Sequence, residues 1–415
     1  MNLEVLLHII NGLILLNVSR RFSLYHPVKV WMLFQVLFYF GTIYITDFTR
    51  EVEVSHLRMY AVFALVTYLT ALLLPKDKED FKVQITDVHI RFVYISFYVS
   101  IIMCSIYFTL AGGNLFVQNI KSLVSLGSTL DFVGSRRLEF YAGQNYYAPG
   151  FFNLFKNFLL PASFYALLFL HIKGYKRRPK WFIAGALVAY LIFILGTGQR
   201  GALVLSILFG VVYCYHFLGK KRTYRIGLYG GVGFFVLFVV ATFFLSRAKL
   251  QGLNSLDDYL LLVEVSMERF FVTNQRAGLI AYQYILTYEE ITYGYDWLMS
   301  LEQFLPGQST HINLANKVFA YRYGSTRGTS PPTLMVSVFY NFGYFGVVVF
   351  PILFLGFLQG LYSYFRSRYK GFLDLFVYSF LYFGLATWAT GSLSFPILNG
   401  GLLFILLYFI KKVKI

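Results

Sequence analysis

About eleven apolar stretches, each close to the length that crosses a bilayer, occupy most of this chain. A spanning helix needs roughly 17–25 mostly apolar residues, and only the first stretch is short by that measure. The stretches cover approximately residues 3–18, 28–46, 57–74, 92–111, 151–172, 181–198, 201–218, 226–245, 343–365, 372–390 and 394–410. This pattern predicts an all-α fold, a polytopic integral membrane helical bundle with about 11 transmembrane helices.

The composition agrees with a membrane location. Hydrophobic residues make up 58% of the chain and charged residues 13%, whereas a soluble domain is about 25% charged. No soluble linker and no repeat of fixed period divides the chain, so residues 1–415 are expected to form a single membrane domain. Residues 3–18 lack the basic start of a signal peptide and are interpreted as a first, retained span. Cys104 and Cys214 both lie inside apolar stretches, which argues against metal ligation or a disulfide.

The positive charge, formally +17, is concentrated in every second connection. The six basic segments are residues 20–29, 76–91, 173–180, 220–225, 366–370 and 411–414. With eleven spans these segments all fall on one side of the membrane, which the positive-inside rule assigns to the cytoplasm. The N-terminus is then outside and the C-terminus inside.

One polar and aromatic connection, residues 246–333, is far longer than the others and falls on the predicted outer side. Its Lys and Arg side chains are Arg247, Lys249, Arg269, Arg276, Lys317, Arg322 and Arg327. Cations are disfavoured in outer loops, so the positive-inside bias does not explain them. They indicate an anionic ligand held beside the bilayer.

Helices are expected inside this long connection. A capping-box pattern at Ser255–Asp258 predicts a helix over about residues 256–285. Such a helix would place Arg269 and Arg276, seven residues apart, on one face two turns from each other. A short helix is expected to end near Pro306, and residues 307–332, rich in Gly, Ser, Thr and Pro, are predicted to be irregular.

A second outer cation lies in the turn Gly196–Gly201, which joins two apolar stretches with almost no loop. Arg200 is therefore expected at the outer membrane surface. The simplest interpretation is a side chain that reaches up to the phosphate layer of the lipids. A lone cation on an outer turn runs against the positive-inside bias, however, and the flanking glycines allow a ligand to approach closely. Binding and anchoring are equally favoured by these observations.

Arg136 and Arg137 form another basic pair in an outer connection, and Tyr141, Tyr146 and Tyr147 follow them. Guanidinium groups bind phosphate oxygens in pairs, and tyrosine rings suit the faces of sugars. The arrangement is typical of a site for a phosphorylated sugar. For the tyrosines alone, an aromatic belt at the membrane interface is the slightly favoured explanation.

Familiar catalytic signatures are missing from the sequence. It holds no HExxH, CxxC, GxSxG or Walker motif. His311 is the one histidine in residues 246–333, and a lone histidine is more often a packing or surface residue than a base. No cluster of carboxylates or histidines has the spacing of metal ligands, so no metal site is predicted.

The motifs resemble a known family. The block Thr326–Leu334, followed by Tyr340–Gly346, is similar to the stretch that closes the large outer loop of O-antigen polymerases, the Wzy family. The turn Gly196–Gly201 resembles that family's small-residue-plus-Arg turn, and Arg136–Tyr147 resembles its first outer loop. Span count and loop placement resemble the family over most of the chain, which makes residues 246–333 the counterpart of its large periplasmic loop.

The resemblance implies a GT-C-like, metal-independent glycosyltransferase at the periplasmic face of the bacterial inner membrane, in lipopolysaccharide biosynthesis. Such polymerases transfer an undecaprenyl-diphosphate-linked glycan onto another lipid-linked repeat unit, with no nucleotide sugar and no cofactor. The implied partners are the lipid-linked oligosaccharide and the bilayer. A chain-length regulator is compatible with the resemblance, and nucleic acid is not an implied partner. The N-terminus would be periplasmic and the C-terminus cytoplasmic.

Arg200, Arg269 and Arg276 are predicted to be catalytic, because outer-face cations would stabilise the charge that develops on the leaving diphosphate. Substrate binding is assigned to a wider set, namely Arg247, Arg136, Arg137, Arg327 and Tyr141. The general base that would deprotonate the acceptor hydroxyl stays unassigned.

Three alternatives stay open. O-antigen ligases, which deliver glycan to a lipid A core, usually carry a histidine near the position of Ser330–Pro332, and its absence here favours a polymerase. A flippase of lipid-linked oligosaccharide, which is not an enzyme, would line a central cavity with cations, whereas the centres of these apolar stretches hold almost none. A cell-wall polymerase of the shape-and-division type is a third option.

Overall fold

The computed structural model describes residues 3–76, 86–124, 149–175, 179–198, 200–246, 256–304, 311–325, 328–368 and 371–412. Within these ranges the chain is helical and forms no β-sheet, although one isolated antiparallel bridge joins Thr333 to Thr390. The predicted all-α fold is confirmed for the described part of the chain.

The described ranges contain seventeen α-helices. They are α1 (Leu3–Ser19), α2 (Pro27–Ile45), α3 (Glu51–Leu73), α4 (Asp87–Leu110), α5 (Leu115–Val124), α6 (Pro149–Leu154), α7 (Leu160–Ile172), α8 (Lys180–Leu195), α9 (Arg200–Ser246), α10 (Leu256–Phe271), α11 (Thr273–Tyr288), α12 (Tyr295–Met299), α13 (Leu314–Tyr323), α14 (Leu334–Arg368), α15 (Phe372–Ala386), α16 (Ser394–Pro396) and α17 (Leu402–Lys412). Wider π-helical turns join α6 to α7 and α16 to α17, and a 3-10 turn follows α12.

Five of the described helices are long and apolar enough to cross a membrane. They comprise Pro27–Ile45, Glu51–Leu73, His89–Leu110, Phe152–Ile172 and Leu334–Ser367. Shorter apolar helices also coincide with predicted stretches, among them Leu3–Ser19 and Phe372–Ala386. The apolar helices indicate a membrane protein. The count of eleven spans, the single membrane domain and the outer position of residues 246–333 stay predictions.

The structure corrects the predicted helix over residues 256–285. The chain forms two helices instead, α10 and α11, because the backbone leaves helical geometry at Val272 (φ −123°, ψ −33°). Val272 and Thr273 are both β-branched, which lowers their helix propensity, and the Thr273 hydroxyl donates a hydrogen bond to the Glu268 carbonyl (3.3 Å). Since this break separates Arg269 from Arg276, the two do not share the face of one continuous helix.

The prediction of irregular backbone over residues 307–332 was wrong in part, because α13 lies inside that range. The Asn313 side chain accepts a hydrogen bond from the Asn316 backbone N–H (3.1 Å) at its start. Gly324 ends the helix in the left-handed conformation (φ 69°). Both end signals stand in the sequence, with the ten residues of the helix between them.

The connection predicted between the seventh and eighth apolar stretches also differs. Residues 220–225 are helical within α9, and the backbone departs from helical geometry at Gly219 (φ 75°, ψ 168°). A glycine adopts this conformation without the steric cost of a Cβ. The two predicted stretches are therefore separated by a kink instead of a loop.

The described chain divides into two compact units. Unit 1 comprises Met1–Glu79, Met267–Arg368 and Gly384–Gly401, and it contains α1–α3, α11–α13 and α14. Its core is aromatic: the Trp31 indole N–H donates to the Trp388 carbonyl (2.8 Å), and the rings of Trp297 and Trp388 lie 5.4 Å apart. Burial of such large rings stabilises the unit strongly.

Unit 2 comprises Asp80–Ser266, Tyr369–Phe383 and Leu402–Ile415. Stacked rings also fill this unit, with 4.6 Å between the centroids of Phe164 and Tyr190 and 4.7 Å between those of Phe209 and Phe383. The buried Tyr190 hydroxyl lies 2.5 Å from the Ser206 hydroxyl, which satisfies its hydrogen-bonding capacity inside an apolar surrounding.

Candidate functional site

Three of the residues predicted to carry function lie in described helices. Arg200 is the first residue of α9, Arg269 lies in α10 and Arg276 in α11. The side chains of Arg200 and Arg269 are outside the described part of the structure, so their roles stay predictions. The other predicted positions also lie outside the described residues: Arg247, Arg136, Arg137, Arg327 and Tyr141.

The predicted turn before Arg200 is confirmed as a connection with almost no loop. Helix α8 ends at Leu195 and α9 begins at Arg200, with Gly198 in a positive-φ conformation (71°). Gly196 packs against α4 and its C-terminal loop: a Cβ there would lie 2.4 Å from the Phe108 ring and 2.5 Å from the Asn114 amide. This position therefore requires a glycine, and the start of α9 is held closely within unit 2.

A buried cation, which the sequence analysis passed over, contacts the same turn. Lys156 lies within the apolar stretch 151–172 and is 1% exposed. Its ammonium group donates a hydrogen bond to the Thr197 hydroxyl (2.6 Å). The residue belongs to the π-helical turn Phe155–Leu159, a distortion that is frequent at functional sites. The polar pair Lys156–Asn157 inside an apolar run was the signal available in the sequence.

Arg276 is exposed on α11 and forms an ion pair with Glu268 of α10. Both side chains are largely accessible, 51% for Arg276 and 41% for Glu268. Exposed pairs of this kind contribute little to stability because solvent screens them. The Arg276 guanidinium is therefore available to a stronger anion, such as a phosphate group.

Lys317 has a different role from the one its position in the long connection suggested. Its ammonium group donates to both carboxylate oxygens of Glu289 (2.9 and 2.8 Å) and lies 3.1 Å from the Tyr340 hydroxyl. The hydroxyls of Tyr340 and Tyr284 also donate to Glu289, over 2.8 and 3.0 Å. This cluster ties α13 and α14 to the end of α11, so Lys317 stabilises the fold of the connection.

The cluster sets the ionisation of its members. Burial alone would raise the pKa of the Glu289 carboxyl, but hydrogen bonds from Lys317, Tyr340 and Tyr284, together with the Lys317 charge, lower it below its ordinary value. Burial, followed by the hydrogen bond to Glu289, raises the pKa of Tyr284 to about 12. Tyr284 is therefore a neutral hydrogen-bond donor at physiological pH.

Tyrosine rings surround this cluster. The ring centroids of Tyr284, Tyr288 and Tyr321 lie 5.4 to 5.7 Å from one another. Tyr288 is 61% exposed and Tyr321 is 53% exposed, so two faces of the trio are accessible. Exposed rings with polar groups beside them suit the sugar stacking that the sequence had suggested for Tyr141.

The structure pairs His311 with Asp296. His311 Nε2 lies 3.0 Å from Asp296 Oδ1, which also accepts the Leu314 backbone N–H (3.2 Å). The carboxylate side chain is 3% exposed and the imidazole 15%. Because a carboxylate accepts hydrogen bonds, Nε2 is the donor, and the lone pair of the neutral imidazole is then on Nδ1. Sequence reasoning did not find this pair, since 15 residues separate its members.

The motif block that carries the family resemblance has a defined structural role. Asn341 Oδ1 accepts hydrogen bonds from the Thr292 hydroxyl and the Trp297 backbone N–H, each over 3.1 Å. The Tyr340 carbonyl accepts the Thr292 backbone N–H (3.0 Å). Residues 340 and 341 thereby fasten the segment that leads into α12, which in turn supplies Asp296.

The beginning of that block also makes backbone contacts. The Leu334 N–H donates to the Ala389 carbonyl (2.8 Å), and the Gly391 N–H donates to the Pro332 carbonyl (2.9 Å). In addition, the Ser330 N–H donates to the Ala315 carbonyl (2.9 Å) in α13. The proline-containing block therefore joins α13 to the turn after α15.

Among the described residues, no three His, Cys, Asp or Glu side chains lie close enough together to hold a metal ion. Cys104 and Cys214 are both buried free thiols in unit 2. The independence of the activity from metals and cofactors stays a prediction.

The fold and this site define a helical membrane protein whose long polar connection is folded onto its apolar helices. No protein-family model, no curated protein and no solved structure matches this chain. The assignment to helical membrane proteins therefore follows from helix composition and packing.

Proposed function

We propose that this protein is an oligosaccharide repeat-unit polymerase of the O-antigen type in a bacterial inner membrane. It would transfer a glycan from undecaprenyl diphosphate onto the terminal sugar of another lipid-linked repeat unit at the periplasmic face. One observation carries the proposal: α11–α13 present an exposed arginine, a His–Asp pair and accessible tyrosine rings in the same unit as three candidate spanning helices, α2, α3 and α14.

The proposed reaction needs two kinds of group. The acceptor hydroxyl oxygen attacks the anomeric carbon of the donor sugar, and the bond from that carbon to the diphosphate oxygen breaks with its electron pair. Arginine side chains stabilise the negative charge that develops on the leaving diphosphate. In unit 1 the exposed Arg276 is assigned this task, while the catalytic roles of Arg200 and Arg269 stay predictions from the sequence.

The acceptor proton needs a base, and the described residues offer His311. Asp296 orients the imidazole and stabilises the cation that forms when His311 accepts the proton. The geometry explains how a lone histidine in the sequence becomes suited to proton transfer. Tyr288 and Tyr321 would hold sugar rings against the site.

A ligase is the second candidate, because one contact favours it. The sequence has no histidine near Ser330. The Ser330 backbone N–H, however, donates to the carbonyl of Ala315, which lies four residues after His311. The tertiary structure thus brings the histidine-bearing segment to the proline-containing block. A ligase would use the same base and cations but accept a lipid A core.

Gene deletion followed by gel analysis of lipopolysaccharide separates the two candidates. Loss of a polymerase should leave core carrying one repeat unit, whereas loss of a ligase should leave core without O-antigen. Intact long-chain O-antigen in the deletion strain would contradict both. Loss of all lipid-linked repeat units from the outer leaflet would instead indicate the flippase.

Complementation with a His311→Gln variant tests the base. We expect polymer formation to fall by about 100- to 10,000-fold, the usual contribution of a general base, with normal protein in the membrane. A Tyr293→Phe variant, in which an 88% exposed side chain loses its hydroxyl, is the control and should complement fully. Wild-type banding from His311→Gln would remove His311 from the mechanism.

A further inference from the structure

An apolar groove of about 470 Å³ lies within unit 1, between α1, α2 and the junction of α10 with α11. Its α2 wall is a stripe of side chains spaced three or four residues apart, which places them on one helix face: Leu33, Val36, Leu37, Phe40 and Tyr44. At 1.5 Å per residue the stripe extends for roughly 17 Å along a candidate spanning helix. No charged side chain lines the groove.

A buried amide adjoins this groove at Gly41. A Cβ on Gly41 would lie 2.4 Å from the Phe271 carbonyl oxygen and 2.9 Å from the Gln275 amide nitrogen, so α2 and α11 touch through the glycine. Gln275 is 0% exposed, and neither its Oε1 nor its Nε2 has a hydrogen-bond partner among the described residues. Because buried amides are nearly always hydrogen-bonded, this group has donor and acceptor capacity to offer a polar atom bound beside Gly41.

A cation lies one helical turn beyond the lining of the groove. Val272 lines the groove, and Arg276 is four residues later, so the two start from neighbouring positions on one face of the chain. Arg276 is paired with Glu268 through an exposed contact that a doubly charged anion can displace. The apolar groove, the buried amide of Gln275 and the accessible guanidinium of Arg276 therefore lie in succession.

Resting on the proposed function, we propose that this groove binds the lipid donor by the isoprene units next to its diphosphate. The isoprenoid chain lies along the α2 stripe, the Gln275 amide hydrogen-bonds at the junction, and Arg276 exchanges Glu268 for the diphosphate. The single apolar stripe suits one hydrocarbon chain with an anionic end. This order of groups distinguishes the slot from the general lipid-facing surface of the bundle.

Photo-crosslinking in lipid nanodiscs tests the site without requiring turnover. The purified full-length protein is labelled with an undecaprenyl diphosphate analogue that carries a diazirine in its first isoprene units. We expect peptides from residues 33–44 and 271–272 to carry the label. Unlabelled undecaprenyl diphosphate should compete, whereas phosphatidylglycerol and inorganic diphosphate should not.

Matched variants sharpen this test. Leu33→Trp, which fills the slot, and Arg276→Gln, which removes the cation, should each lower labelling at least about tenfold, equivalent to about 1.4 kcal/mol. Leu69→Trp adds the same ring to a 49% exposed position on α3 outside the groove and should label normally. Gln275→Met, which removes the buried amide at similar volume, should fold normally and label several times less.

Either of two outcomes would reject the proposal that this groove binds the lipid donor. The label could map to other peptides, or phosphatidylglycerol could compete as well as the polyprenyl lipid. The results separate this inference from the proposed function. Correct labelling together with intact polymer in the deletion strain would leave the site standing and reject the polymerase. The loss of polymer with label elsewhere would reject the groove alone.

Discussion

At the residue scale, the surroundings of a cation decide its role. Lys317 and Arg276 both belong to the long connection, and the sequence alone treats them alike. Lys317 is held by both oxygens of Glu289 and stabilises the connection. Arg276 is exposed and bonded to an exposed carboxylate, so its charge is available to a ligand. Tertiary contacts therefore distinguish a cation that stabilises the fold from one whose charge is available to a ligand.

Arg200 should be needed for chemistry and not for folding. It begins α9 directly after a four-residue turn, at a predicted outer surface. We expect Arg200→Ala to abolish polymer, since losing one contact to a developing anion costs about 3–4 kcal/mol, on the order of 100-fold or more in rate. Arg200→Lys should leave little polymer, because the two-pronged guanidinium geometry is lost. Lipopolysaccharide gels report polymer, and immunoblots of membranes report protein.

A purely anchoring arginine would behave differently. Lysine also reaches the phosphate layer, so anchoring would tolerate Arg200→Lys. Wild-type banding from Arg200→Ala would show that the residue is dispensable, and the diphosphate site would then be sought among the arginines of residues 246–333.

Glu289 should stabilise the fold in a pH-dependent way. Its pKa in the folded protein is lowered, so its contribution is present above the unfolded pKa of about 4.3. That contribution is lost as the pH falls through the lower folded value. Glu289→Gln should cost about 1–3 kcal/mol at pH 7, after allowance for partial exposure of the pair.

Denaturation of the purified protein in detergent measures this effect. The gap between wild type and Glu289→Gln should be wide at pH 7 and narrow as the pH drops below about 4. Glu290→Gln changes the neighbouring exposed carboxylate and should behave as wild type. A gap that stays constant over this pH range would show that the Glu289 charge is not what stabilises the cluster.

At the scale of elements, breaks inside helices position the functional side chains. The break at Val272 separates α10 from α11, and across it Glu268 pairs with Arg276. The break at Gly343 follows the Tyr340–Asn341 pair that fastens α12. In one continuous helix Glu268 and Arg276 would lie roughly 12 Å apart along the axis, so the break at Val272 is what lets them pair.

Gly343 should be intolerant of a side chain for conformational reasons alone. Its backbone (φ 62°, ψ −158°) lies in a region that only glycine adopts readily, while a Cβ there would meet Ile291 at an ordinary 3.9 Å. We expect Gly343→Ala to lower stability by about 1–3 kcal/mol, measured by thermal unfolding in detergent.

Gly356, in the same helix, is the matched control. It has helical geometry, and a Cβ there would meet no described atom within 4 Å, so Gly356→Ala should be neutral or stabilising by up to about 1 kcal/mol. Equal destabilisation by the two variants would mean that conformational strain at Gly343 is not the cause.

At the scale of the whole molecule, charge distribution predicts orientation. All six basic segments share one side of an eleven-span arrangement, and that side is assigned to the cytoplasm. Because Cys104 and Cys214 are buried free thiols, their replacement by Ser should yield a folded background for labelling.

In that background, a membrane-impermeant thiol reagent tests orientation. Thr329→Cys, an exposed position in the long connection, should react in intact cells. Lys221→Cys, an exposed position beside the Gly219 kink, should react after permeabilisation alone. Labelling with the reverse pattern would invert the topology and move the proposed site to the cytoplasmic face.

The all-α, membrane-helical class followed from the sequence, because hydrophobic length is a local property that packing does not alter. The near-loopless turn at residues 196–200 followed for the same reason. The break at Val272 and the helix α13 were not predicted, although Thr273, Asn313 and Gly324 carried the local signals.

The candidate site depended on the tertiary structure. Asp296 meets His311 across 15 residues, and Glu289 meets Tyr340 across 51. Hydrogen bonds over such separations depend on how helices pack, and the hydrophobic periodicity of the sequence does not predict them. In the sequence Gln275 is an ordinary polar residue, and only the structure shows that it is buried against α2 beside Gly41. Sequence therefore determined the membrane-helical class and the cationic character of the connection. Packing decided that Lys317 is held by a largely buried carboxylate and that Arg276 is paired only with an exposed one.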